Sequence, residues 1–337
     1  MTVVITGATG HIGANLVRAL IDRGRPTRCL VHVSTGALEG LDTELVRGDI
    51  GDIESLCHAF RGADVVYHLA ASISLAMDDW PRLEAVNVQG TRNVLDACRR
   101  TGVRRLVHFS SVHALEQEPF STPVDENRPL VDSERCPPYD RSKAAAEREV
   151  RRAIGQGLDA VIINPTGVIG PQDYQPSYLG EALLSMAQNR LPALVTGGFD
   201  WVDVRDVVDG ALRAEAVAPA GATYLLSGHW VSMCAMAAMV AEITGGRNSR
   251  FVCPLWLARL GAPLVQGVSR LSGKRPLYTS VSLKALRSNR HVSHEKAARE
   301  LGYQPRPFRE TLVDTLRWFE ADGRLSLPLS PAFEESA

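Results

Sequence analysis

Three groups of residues in this chain of 337 can do chemistry together. Tyr139-Asp140-Arg141-Ser142-Lys143 sets a phenol and an ammonium four positions apart, which on a helix puts both on one face, one turn from each other. A phenol with a pKa of about 10 exchanges its proton poorly near neutrality, and a nearby ammonium favours its ionised form. The same spacing also occurs at ordinary helix starts. Ser110-Ser111 follows the apolar run Leu106-Val107-His108-Phe109, so one hydroxyl emerges at a strand's carboxyl end, where it can hold a substrate oxygen against the tyrosine. Paired serines there also serve as plain turn residues. The third group is Thr6-Gly7-Ala8-Thr9-Gly10-His11-Ile12-Gly13. Gly7 suits a tight turn, Gly10 lets backbone approach a pyrophosphate, and Gly13 allows close packing of helix on strand.

These groups need a frame, and the pattern supplies one. Strands are predicted at Thr2–Thr6, Thr27–His32, Glu44–Arg47, Asp64–Leu69, Arg104–Ser110 and Ala160–Asn164. Helices are predicted at His11–Arg23, Ile53–Phe60, Pro81–Arg100 and Arg141–Ile154. Strands alternating with helices imply an α/β fold: a doubly wound parallel Rossmann sheet covered on both faces. The helix after the glycine loop would present free N–H groups and a positive dipole end to phosphates. Beyond Pro165 the pattern loosens. Trp201–Val204 reads as a short strand entering a helix and Thr223–Leu226 as another strand, while helical segments and proline-rich turns follow Ser232. The expected division is a dinucleotide-binding domain over 1–170, with 200–230 returning to it. A smaller, mainly helical substrate domain takes 171–199 and 231–325, and 326–337 form a loose tail.

Together the motifs resemble the extended short-chain dehydrogenase/reductases, the NAD-dependent epimerase/dehydratase family, through most of the chain. The resemblance implies that Ser111, Tyr139 and Lys143 are the catalytic triad. It gives Gly7, Thr9, Gly10, His11 and Ile12 to the pyrophosphate loop and Asp49-Ile50 to the adenine. His68-Leu69-Ala70-Ala71 passes the cofactor, Asn87-Val88-Gln89-Gly90-Thr91 is the helix motif behind it, and Pro165 to Val168 lies beside the nicotinamide. Tyr139 and Lys143 would contact cofactor as well. Substrate would meet Ser111, Tyr139, His113 and Tyr174, the last belonging with Tyr178 and Trp201 to an aromatic cluster that is equally readable as core.

Departures from the pattern narrow the class. Val112-His113 stands where sugar dehydratases carry an extra acid and base. Asn164-Pro165 replaces the Arg-Pro frequent in sugar epimerases and looks more like the dihydroflavonol-reductase branch. The second strand ends Leu30-Val31-His32-Val33-Ser34-Thr35 without the acid that would hold a free ribose 2′-hydroxyl. NADP is therefore expected in preference to NAD, with His32 in the place of the Arg of NADP-dependent relatives and Arg28 and Ser34 as helpers. The implied activity is reduction of a ketone or aldehyde, or oxidation of the matching alcohol. Its rivals are a nucleotide-sugar epimerase with bound NAD and a non-catalytic cofactor sensor. For an epimerase, Arg190, Lys274, Arg275 and Arg287 are the candidate diphosphate contacts.

Composition bounds the partners. Lys and Arg number 37 against 38 Asp and Glu, so no nucleic-acid or anionic-membrane partner is implied. Six scattered cysteines without a C-x-x-C pair suggest reduced thiols, no metal site and a cytoplasmic protein. A first strand at residue 2 leaves no room for a targeting segment. Phe251 to Leu271 carries charges and prolines and reads as an amphipathic helix pair over a pocket rather than a membrane anchor. By the resemblance, two copies would pair through the Pro81–Arg100 and Arg141–Ile154 helices into a homodimer.

Overall fold

The computed structural model describes residues 1–191, 193–246, 251–258 and 279–326. In chain order the strands are β1 (Val3–Thr6), β2 (Thr27–Val31), β3 (Glu44–Arg47), β4 (Val65–His68), β5 (Arg105–Phe109), β6 (Ala160–Pro165), β7 (Gly167–Ile169), β8 (Leu194–Val195), β9 (Gly198–Asp203), β10 (Thr223–Leu226), β11 (His229–Ser232) and β12 (Val252–Cys253). The helices are α1 (His11–Asp22), α2 (Ile53–Phe60), α3 (Trp80–Leu83), α4 (Gly90–Thr101), α5 (Pro138–Gly155), α6 (Tyr178–Ala187), α7 (Val204–Val217), α8 (Met233–Thr244), α9 (Ser280–Ala285), α10 (Glu295–Leu301) and α11 (Phe308–Ala321).

Seven strands form one sheet in the order β10-β6-β5-β4-β1-β2-β3, and every neighbouring pair is parallel. The chain leaves β1 in one direction for β2 and β3 and returns on the other side for β4, which opens a crevice at the strands' carboxyl ends. Alternation along the strands builds both faces. Val3, Ile5, Val65, Tyr67 and Val107 pack with α1 and α7 through Leu16, Val17, Leu20, Val207 and Ala211. Val4, Val66, Leu106 and Ile162 face the other way, onto Leu56 and Phe60 of α2, Val94 and Leu95 of α4, and Val150 of α5.

A second apolar centre lies beside the sheet. Trp201 joins Leu183, Met236, Val240, Leu312, Leu316 and Phe319 there, and only 1% of it is exposed. It is core, so it does not line a pocket. A three-stranded sheet β11-β9-β7 and the pair β12-β8 complete this region. The two-residue β12 interrupts what the sequence pattern presents as helices and turns. It is too short for any period to register.

The predicted Pro81–Arg100 helix is not uniform. α3 and α4 are joined by a π-helical segment, Glu84–Gln89. The predicted Arg141–Ile154 helix starts earlier, at Pro138, because proline is well placed in a first turn. Among the described residues, no helix is long and apolar enough to cross a membrane, and no group of three His, Cys, Asp or Glu side chains is placed to hold a metal. The predicted helix pair over 251–271, Lys274, Arg275 and the tail from 327 lie largely or wholly outside the described residues.

Candidate active site

The glycine loop joins β1 to α1. Gly7 has a φ of 73°, and a Cβ on it would stand 2.6 Å from the Ala70 amide nitrogen. A Cβ on Gly13 would stand 2.2 Å from the Gly7 carbonyl oxygen, so helix and loop meet here with no room for a side chain. Gly10 starts α1 in extended conformation with no side-chain cap. The first N–H groups of the helix are thus left for an anionic guest, and Thr9, Gly10, His11 and Ile12 lie at the accessible crest. These features fit the pyrophosphate of a dinucleotide.

His11 also has a structural task. Its Nε2 lies 3.2 Å from the Gly170 carbonyl and 3.0 Å from that of Pro171. Both partners are acceptors, so Nε2 carries the proton. Asn15 donates to the same Pro171 carbonyl at 3.0 Å. The glycine loop is thereby latched to the segment that follows Pro165 and Val168.

A buried polar chain crosses from β1 to α5. The Ala70 N–H points to Thr6 Oγ1 at 3.3 Å, Thr6 Oγ1 lies 2.8 Å from His68 Nδ1, and His68 Nε2 lies 3.1 Å from Thr91 Oγ1. Thr91 donates to the Asn87 carbonyl at 2.6 Å, so its oxygen must accept from Nε2–H. That leaves Nδ1 to accept from Thr6, and every hydroxyl proton in the chain has one assignment. Burial, with Lys143 nearby, pushes the His68 pKa down to about 3. Asn87, in the π segment, brackets Ser72 by accepting its N–H at 2.7 Å and donating to its carbonyl at 2.9 Å. It also donates to Ser142 Oγ at 2.8 Å, and Ser142 donates to the Tyr139 carbonyl at 2.8 Å. The wider turn of the π segment brings Asn87 inward to these partners.

Tyr139 and Lys143 lie in the first two turns of α5, and Ser111 comes just after β5. Lys143 is 5% exposed and donates from Nζ to the Phe109 carbonyl at 2.9 Å. Burial lowers its pKa to about 8, opposed by the charge of Glu147. Burial pushes the Tyr139 phenol up, while a hydrogen bond from Ser111 pulls it back. The Ser111 oxygen also accepts the His113 N–H at 3.2 Å. His113 sets its ring edge-on to Tyr139 at 6.1 Å, with Nδ1 3.6 Å from Asp140. Ser111 and the Tyr139 phenol therefore meet beyond the carboxyl end of β5 with His113 beside them, while the Lys143 ammonium, one turn further along α5, is held on the last carbonyl of that strand.

Other sequence expectations fall out differently. Tyr174 Oη accepts from the Arg18 guanidinium at 2.7 Å, and its ring packs on Trp318. It joins α1 to α11 and is not engaged with Ser111, Tyr139 or Lys143. Arg28 lies near the start of β2, bonded to Glu44 and to the carbonyls of Ala59 and Arg61. It stands three positions before Val31 on the strand, about 10 Å away, so it does not help at the strand's end. His32, at that end, is 3.3 Å from Asp49. The Asp49-Ile50 turn is held by Asn93, which donates to the Ile50 carbonyl at 2.9 Å.

Asn164 has no exposed surface. Its amide donates to the Ser111 carbonyl at 3.1 Å and to Glu147 at 2.9 Å. The side chain ties the Ser111 carbonyl to Glu147 of α5, so the Asn-for-Arg departure says nothing direct about a substrate phosphate. Glu147 itself escaped the sequence reading. Its signal is the spacing Lys143 to Glu147, one further turn on the same face of α5.

The comparisons agree with this geometry. The sequence profile of the NAD dependent epimerase/dehydratase family matches residues 3–225. The chain is 36% identical over 329 residues to sterol demethylase protein B of Methylococcus capsulatus, covering 96% of this chain and all of that one. It is 33% identical to a putative dihydroflavonol 4-reductase of Synechocystis over 325 residues, 95% of this chain and 94% of the relative. The crystal structure of gox2253 superposes with a TM-score of 0.84 at 33% identity, covering 96% and 99% of the two chains. The protein belongs to the NAD-dependent epimerase/dehydratase family, the extended short-chain dehydrogenase/reductases, which are built on a Rossmann sheet.

Proposed function

We propose that the protein is a carbonyl reductase that prefers NADP, reducing a ketone or aldehyde or oxidising the matching secondary alcohol. The observation that supports this reading is the hydrogen bond of Ser111 to the Tyr139 phenol, with the buried Lys143 one turn along the same helix. The bound nicotinamide supplies or accepts the hydride. Tyr139 holds the proton that passes to the carbonyl oxygen, and the buried Lys143 ammonium, fixed on the Phe109 carbonyl, favours the phenolate left behind. Ser111 orients the substrate oxygen toward Tyr139 Oη. The dihydroflavonol-reductase name of one relative supports the reductase branch. A net charge of −1 accords with a small-molecule partner and with no nucleic acid.

The NADP preference rests on the end of β2. No residue from Leu30 to Thr35 is acidic, Val33 is 80% exposed, and the His32 ring nitrogen at the same edge lies 3.3 Å from Asp49 of the neighbouring turn. A free 2′-phosphate meets no repulsion from Leu30 to Thr35.

The test is Tyr139→Phe assayed by NADPH oxidation across aldehydes and ketones, with UDP- and dTDP-sugars in parallel. Turnover should fall by on the order of 10² or more while cofactor still binds. Wild-type turnover in the variant would refute the role of Tyr139. Epimerisation of a nucleotide sugar would replace the reductase reading with its epimerase rival, and cofactor binding without turnover of any compound would favour the sensor.

A further inference from the structure

The near-neutral total charge conceals a segregation. From residue 243 to residue 294 the sequence holds nine Lys and Arg and no Asp or Glu. The acidic excess sits elsewhere, so this segment is strongly cationic while the chain as a whole is not. Such a segment matches an anionic surface.

The described part of the segment is also apolar toward solvent. It lies along β8, where the Leu194 N–H donates to the Phe251 carbonyl at 3.0 Å and the Thr196 N–H to that of Cys253 at 3.3 Å. After Pro254 one helical turn begins, and the Leu257 and Ala258 N–H groups donate to the Pro254 carbonyl at 3.0 and 3.1 Å. Leu255 and Ala258, three apart and so on one side of the turn, pack against the second apolar centre. Trp256 and Leu257 lie on the other side, where an ordinary surface turn is polar. They are instead 65% and 43% exposed, and Phe251 and Val252 are 62% and 43% exposed. Sequence alone reads this stretch as pocket cover. What it does not show is that four large apolar side chains are held out in water by a backbone fixed on β8.

Cations share that edge of the molecule. Leu255 lines a concavity with Phe120, itself exposed, and with Arg287, Arg290 and His291. Among the described residues no Asp or Glu lines it. Arg290 stacks on Trp230, 4.6 Å from the ring centroid, which holds its guanidinium in place. Protruding apolar groups beside guanidiniums suit the boundary of an anionic bilayer. The aliphatic chains enter the acyl region, the indole rests at the interface, and the cations meet headgroup phosphates. A nucleic acid would use the cations and the aromatic faces but gains nothing from Val252 and Leu257.

We propose that Phe251, Val252, Trp256 and Leu257, with Arg287 and Arg290 beside them, form a docking surface for an anionic lipid bilayer. The protein then lies on the membrane reversibly and does not span it. The proposal concerns where the protein sits and is independent of the carbonyl-reductase reading.

The experiment is co-sedimentation of the full chain with vesicles of phosphatidylcholine alone and of phosphatidylcholine mixed with phosphatidylglycerol. Binding should favour the anionic vesicles by on the order of tenfold or more and weaken by a similar factor in high salt. Trp256→Ser combined with Leu257→Ser should lower it by on the order of tenfold or more, with thermal melting as the check on folding. Trp256→Phe keeps an aromatic ring and should bind as the wild type does, yet lose the tryptophan fluorescence that brominated lipid quenches. That readout stands even if the serine variant fails to fold. The proposal is overturned by no binding to anionic vesicles, by equal binding to neutral ones, by binding that a well-folded serine variant retains, or by quenching that survives Trp256→Phe. Retention on single-stranded DNA, or a concentration-dependent dimer, that the serine variant abolishes in a protein indifferent to vesicles also overturns it. The occupant would then be a nucleic acid or a second copy of this chain.

Discussion

Glu147→Gln isolates one electrostatic link in the site. Glu147 sits one turn beyond Lys143 on α5, fully buried, with one oxygen bonded to Arg151 at 2.7 Å and the other to Asn164 at 2.9 Å. Its charge opposes the burial that lowers Lys143 to about 8. Two charges about 6 Å apart, one turn along a helix, interact by about 2.8 kcal/mol at an effective dielectric of about 20, or about 2 pK units. Arg151 neutralises part of Glu147, which leaves on the order of 1 unit. Glutamine keeps an acceptor for Asn164, so the packing should survive. Lys143 is cationic below its pKa and loses its charge as pH rises through it. Removing Glu147 lowers that pKa, so the alkaline limb of the reduction rate should move to lower pH by about 1 unit. The assay is kcat/KM against pH with saturating cofactor, with thermal melting as a check on folding. An unmoved limb, or one displaced to higher pH in a well-folded variant, would refute the coupling.

Two further substitutions probe the cofactor site. Val33→Asp puts a charge at the exposed end of β2, and the ratio of NADPH to NADH affinity should fall by on the order of tenfold or more in fluorescence titrations; an unchanged ratio would mean the 2′-phosphate lies elsewhere. Gly13→Ala forces a methyl to 2.2 Å from the Gly7 carbonyl and should lower stability by about 1–3 kcal/mol or more, read by denaturant melts, with cofactor affinity lost alongside. Full retention of both would contradict the close packing of loop on helix.

What was legible in the sequence is what local spacing encodes. The Gly7-Gly10-Gly13 spacing, the strand before it and the helix after it depend on neighbours in the chain, and so does the one-turn relation of Tyr139 to Lys143. Residues whose task depends on a distant partner were misread or missed. Tyr174 looked like a pocket aromatic because nothing nearby in sequence announces Arg18, 156 positions away. Asn164 was read through the epimerase pattern, whereas its environment is set by Glu147 and the Ser111 carbonyl. The π segment at Glu84–Gln89 left no periodic trace, since one wider turn barely shifts an apolar stripe. Pairing of β12 with β8 rests on two residues in each strand, too few to read.

The polar chain from Thr6 through His68, Thr91 and Asn87 to Ser142 has a consequence for how such a protein can diverge. None of its members belongs to the 117–124 or 286–291 loops. The 117–124 and 286–291 loops can therefore change without touching the hydrogen bonds that run from Thr6 to Ser142. A chimera that carries a relative's two loops on this frame should keep its affinity for dinucleotide and exchange only its repertoire of carbonyl compounds.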